Sequence, residues 1–138
     1  MTTIVLAYAH LRSRAESMFT ACPLSWKGDK PFIVPDDPTP FAWIELRTTP
    51  AKMVSVGGVR GSNWHEQEAT LEALFMVPVG YGEQFALALA EQFSAVFRNY
   101  LTDEIHCGSA YVHTDDTVDD GNYFTATSVC EIVVQQLG

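Results

Sequence analysis

The amino-acid sequence predicts an α+β fold: a mainly antiparallel β-sheet with two principal α-helices packed on one face. Three observations predict it. Two segments repeat apolar residues at three- and four-residue intervals, and four others alternate apolar with polar residues. The segments follow one another as helix, two or three strands, helix, two strands. Without strict alternation of strand and helix, a parallel doubly wound sheet is disfavoured.

The first helix is carried by Ile4, Ala7, Tyr8, Leu11, Ala15, Met18 and Phe19, which make one apolar stripe. Thr2 or Thr3 can cap its start, and Pro23 stands just past its end. His10, Arg12, Ser13, Glu16 and Ser17 form its solvated side. The second helix runs from about Gly82 to Tyr100, with Phe85, Leu89, Phe93, Val96 and Phe97 on one face. Glu83 near its start and Arg98 near its end have the signs that the helix dipole favours.

In the first strand Ala42, Ile44 and Leu46 alternate with Trp43, Glu45 and Arg47, between the Pro-rich stretch Pro35–Pro40 and Pro50. In the next, Ala69, Leu71, Ala73, Phe75 and Val77 form a wholly apolar face opposite a mixed one. Residues Ile105 to Thr114 are rich in strand formers but have a weaker period. Phe124, Ala126, Cys130, Ile132 and Val134 mark a last strand, and Asp120-Gly121 before it is a tight-turn signal, which predicts a hairpin. Met53–Val56 either extends the sheet or belongs to the loop after it. The stretches Pro23–Pro40 and Gly57–Ser62 read as loose connections.

A chain of 138 residues fits one domain, spanning 1–138. Its 47% hydrophobic content is enough for a packed core and speaks against disorder. No apolar run approaches the ~18 residues of a spanning helix. The short apolar stretch Ile4–Ala9 is followed, not preceded, by basic residues, the reverse of a secretory signal, so the protein is expected in the cytoplasm where it is made. Cys22, Cys107 and Cys130 show no CxxC spacing and read as small buried hydrophobes. With 17 acidic against 8 basic side chains the net charge is −9, which argues against nucleic acid as a ligand. The same charge means that any self-association must be specific.

Every pattern that could carry chemistry is incomplete. His65-Glu66 begins an HExxH zinc motif, but Ala69 stands where the second histidine is needed, in a segment that reads as a strand. Asp115, Asp116, Asp119, Asp120 and Gly121 resemble a calcium loop, yet a register with Gly121 sixth puts Val118 third and Thr127 twelfth, where oxygen ligands belong. Gly57, Gly58 and Gly61 lack the Lys-Ser/Thr of a phosphate loop, and Gly80-Tyr81-Gly82 lacks a third glycine. No GxSxG elbow or family signature links the serines and cysteines to His10, His65, His106 or His113. The sequence therefore predicts a non-enzyme without catalytic residue, metal ligand or cofactor.

The order of the segments carries a resemblance. A first helix precedes Leu24-Ser25-Trp26 and a Pro-rich lead into Pro40-Phe41-Ala42-Trp43-Ile44-Glu45-Leu46. Gly57-Gly58-Val59-Arg60-Gly61 follows, then a strand ending Phe75-Met76-Val77-Pro78, then Gly80-Tyr81-Gly82 opening a helix with Ala86, Ala90 and Phe93. This order resembles the tail terminator and tail-completion (neck) proteins of long-tailed bacteriophages, over nearly the whole chain. Trp64-His65-Glu66-Gln67-Glu68 departs from that pattern, being bulkier and more acidic than the small or basic residues expected there.

The resemblance implies a structural virion protein: a ring, typically of six subunits, that ends growth of the tail tube and joins it to the head. Its expected partners are further copies of itself, the tail tube protein and the head–tail connector protein. It would be found in the tail or neck of the virion, and in the host cytoplasm during assembly. Two alternatives are another neck or head-completion component of related fold, and a small-molecule-binding or enzymatic domain with a pocket lined by Trp26, Trp43 and His65. The loop from about Ala51 to Asn63 holds Lys52 and Arg60, two of only 8 basic side chains, and its glycines let it adapt. Lys52, Gly57, Gly58, Arg60, Gly61 and Trp64 are the candidate protein–protein interface.

Overall fold

The computed structural model describes residues 4–29, 39–53, 64–102, 104–114 and 123–137. Its elements are α1 (Ile4–Met18), β1 (Leu24–Trp26), β2 (Phe41–Thr48), β3 (Lys52–Met53), β4 (Trp64–Pro78), a 3-10 turn (Val79–Tyr81), α2 (Glu83–Phe97), β5 (Ile105–His113) and β6 (Tyr123–Leu137). The strands make one six-stranded sheet of order β1-β2-β4-β6-β5, with β3 also paired to β4. Only β1 and β2 run parallel; the other pairings are antiparallel. The predicted α+β class, with its mainly antiparallel sheet, is what forms.

Register explains which side chains go inside. Across the sheet the rows Ala42–Phe75–Ala126, Ile44–Ala73–Ser128 and Leu46–Leu71–Cys130 place one apolar set on one face. Both helices cover that face, and one cluster of buried residues joins them to the sheet. Phe75 is the centre: its ring lies 5.5 Å from that of Phe19 after α1 and 5.7 Å from that of Phe93 in α2. Burying each such ring contributes about 1.5–3 kcal/mol. Ala7, Ala15, Ala86 and Ala90 are fully buried, and these small side chains let the helix backbones approach closely.

Several expectations need correction. β1 lies inside the stretch Pro23–Pro40 that reads as a loose connection, and its Trp26 is buried against α1, 5.8 Å from Tyr8. Met18 is 56% exposed and Phe85 40% exposed, although both sit on predicted apolar stripes. Phe85 stacks on Tyr81 at 5.3 Å, where α2 begins beyond the end of β4. Arg12 is not simply solvated: it pairs with Glu16 and Asp29 and lies 5.1 Å over Trp26. Met53 joins the sheet one residue after Lys52, whereas 54–56 lie outside the described residues. So do Thr2, Thr3 and the Asp115–Gly121 segment, although β5 and β6 pair as the predicted hairpin requires.

The two sheet edges differ. Tyr100 accepts a bond from the Cys107 amide, the Thr102 amide donates to the Ile105 carbonyl, and Arg98 donates to the Ala110 carbonyl. β5 is thereby blunted as a template for another strand. On the opposite edge β1 serves only Ala42 and Ile44. The outward groups of Leu46 and Thr48, next along β2, meet no backbone partner among the described residues.

A candidate assembly surface

β4 and β6 pair along fifteen residues each, and the core occupies only part of that length. Below Ala69, the core-facing positions of β4 pass to Gln67 and His65, neither of which is buried. The segment Trp64–Glu68 therefore forms an arm, roughly 17 Å long at ~3.4 Å per residue, at the margin of the hydrophobic core, whose last row sets Gln67 beside the buried Val134 and Ile105. It is held by its neighbours: β3 pairs Lys52 with Glu66 and Met53 with His65. Gln67 donates 2.8 Å to the Thr49 carbonyl, and the Thr49 amide donates 3.0 Å to the Glu68 carbonyl. Trp64, 43% exposed, is the first residue of β4.

The sequence-predicted interface thus divides. Lys52 and Trp64 both belong to this arm. Gly57, Gly58, Arg60 and Gly61 lie outside the described residues.

The helix-free face of the sheet is graded from apolar to acidic. Near the start of β2 it carries the buried Phe41, whose ring lies 5.9 Å from that of Tyr123, and the half-buried Trp43, Leu74 and Met76. Further on it carries Glu45 opposite Glu72, then Glu131 and Glu68. Like charges directly opposite one another destabilise a sheet. Here Arg47 bridges the pair, bonded to Glu45 and 3.5 Å from Glu72, while Lys27 reaches Glu45 at 3.0 Å. Hydrogen bonds from Arg47 and then Lys27 hold the Glu45 carboxyl below the ordinary carboxylate range. The cations stand outside the anions: side-chain exposure is 66% for Lys27 and 68% for Arg47, against 15% for Glu45.

Beside this cluster, a groove of about 340 Å³ runs between the start of α1 and β2, lined by Ile4, Val5, Tyr8, Lys27, Ile44, Glu45 and Leu46. Val5 is 71% exposed. Sequence reasoning missed this groove and its cationic rim. The alternation of Glu45 with Trp43 and Arg47 on one face of β2 was visible, but Glu72 opposite them is supplied by register.

The other candidate groups do not converge. Trp26 and Trp43 lie on opposite faces, since Trp26 pairs with Ile44, the residue after Trp43. His65 lies on the arm, so the pocket weighed for a small molecule does not form from these three. The His65-Glu66 segment is strand. Among the described residues no group of three or more His, Cys, Asp or Glu could hold a metal ion, and no helix is long and apolar enough to cross a membrane. Burial raises the thiols of Cys22 and Cys107 to about 11 and that of Cys130 to about 12.

No family model and no curated protein matches the chain. Among solved structures 14 chains match. One of them, whose name states no function, aligns over 100% of this chain and 99% of its own with a TM-score of 0.65 at 15% identity. At that identity the likeness is one of fold.

Proposed function

We propose that the protein is a structural, non-enzymatic virion component whose copies form a ring, of six subunits, that ends the phage tail tube and joins it to the head–tail connector. The observation that supports this best is the arm, which carries an exposed tryptophan at the position where the sequence predicts an interface. No side chain among Trp64–Glu68 is buried, and an exposed tryptophan is a residue type enriched at protein–protein interfaces. The half-buried apolar rows of the helix-free face support the same reading. The test is sedimentation of the purified protein alone and with polymerising tail tube protein. A hexamer that stops tube growth is expected; a monomer at all concentrations that leaves tube length unchanged overturns the reading.

A further inference from the structure

We propose that the arm of one copy docks in the α1–β2 groove of the next, and that this head-to-tail contact builds the ring; the inference rests on the ring reading above. Two observations carry it. The first is charge. The arm displays Trp64, Glu66 and Glu68 on one face, since strand side chains alternate, and Lys52 stands across from Glu66. Lys27 lines the groove together with its partner Glu45, and Arg47 stands next to them on the helix-free face; both cations are more exposed than Glu45 and Glu72, the carboxylates they meet. On a chain of net charge −9, an outward cationic rim is the natural place for an acidic segment of another copy.

The second is shape and apolarity. About 340 Å³ is at the small end of the ~300–1,000 Å³ of ligand clefts, a size suited to one large side chain. Ile4, Val5, Tyr8 and Leu46 offer an indole ring an apolar lining. Arm and groove are different surfaces, so the contact is heterologous. Such contacts close into rings when the rotation between neighbours permits.

The experiment breaks each half separately. The arm variant is Trp64→Ala with Glu68→Lys, and Glu66→Lys with Glu68→Lys serves as a second. The groove variant is Val5→Asp, which sets a carboxylate in the apolar lining offered to the indole ring. All change exposed or half-exposed residues, and unfolding curves verify that each folds. Each variant alone is expected to sediment as a monomer at a concentration where the wild type is a ring. An equimolar mixture of arm and groove variants is expected to give 1:1 dimers, because one intact groove meets one intact arm. Rings formed by either variant alone, or a mixture that stays monomeric while the wild type assembles, overturn the docking and leave the ring reading standing. A wild type that never assembles overturns both.

Discussion

The Ser94 hydroxyl of α2 and the Ser128 hydroxyl of β6 share a 2.7 Å hydrogen bond at full burial, a polar link between helix and sheet set among apolar side chains. The Cys130 thiol lies 3.9 Å from Ser128, a weaker neighbour. Replacing one serine by alanine leaves the other hydroxyl buried without that partner, which costs about 1–3 kcal/mol. Ser94→Ala with Ser128→Ala removes both groups together. Denaturant unfolding is expected to show the double variant closer to wild type than the sum of the two singles. Additive losses would mean that the pair is not coupled.

Arg14 fastens α1 to the end of α2. Its Nε donates 2.8 Å to the Val96 carbonyl, and its guanidinium lies 4.3 Å from the Tyr100 ring centre. Arg14→Ala should cost about 1–2 kcal/mol. Hydrogen exchange should quicken in α1 well before it does in β4 or β6. Uniform quickening would place Arg14 outside the local stability of α1.

Acid should weaken the protein partly through Glu45. Its folded pKa is depressed by Arg47 and Lys27, so its contribution is present above the unfolded value, ~4.3, and is lost as pH falls through the folded one. Asp29, lowered mainly by its hydrogen bond from Arg12, acts in the same direction. Arg47→Gln is expected to lower stability at pH 7 slightly, as solvent screens an exposed ion pair. The gap between variant and wild type should narrow by pH 3, as Glu45 takes up its proton in both. A gap independent of pH counts against this account.

Lys52 and Arg60, reversed together to glutamate, should leave folding intact and reduce capture of the tail tube. Each cation is worth about 0–1 kcal/mol at a rim, and a six-subunit ring repeats the loss six times. Unfolding curves check the first half; tail length and head joining in a complementation assay check the second. Unchanged tails would make the segment a connection only.

The sequence revealed the sheet better than its working surface. The alternation from Ala69 to Val77 sets the inward face of β4, and the periods of α1 and α2 fix both helices to within a few residues. Burial in α2 is carried as much by Ala86 and Ala90 as by its aromatic residues, which is why Phe85 could be read as inward and prove exposed. β1 is three residues long, too short for any period to register. The arm escaped because its positions lie at the margin of the core, so His65, Glu66 and Gln67 show no apolar alternation. The groove escaped because it depends on the parallel pairing of β1 with β2, which no local pattern signals.

The weak period of β5 has a cause in one residue. Between Cys107 and Ser109 the pairing with β6 slips, Cys107 facing Ile132 and Ser109 facing Glu131, so that Gly108 has no opposite number. Inward positions are odd before it, at Ile105 and Cys107, and even after it, at Ala110 and Val112. Struck from the chain, Gly108 would leave Ile-His-Cys-Ser-Ala-Tyr-Val-His, an unbroken alternation with the same four side chains inward. A Cβ there would meet nothing within 4 Å. The strand is two phrases in the same metre with a rest between them, and the rest can be filled or removed without changing what either phrase says to the core.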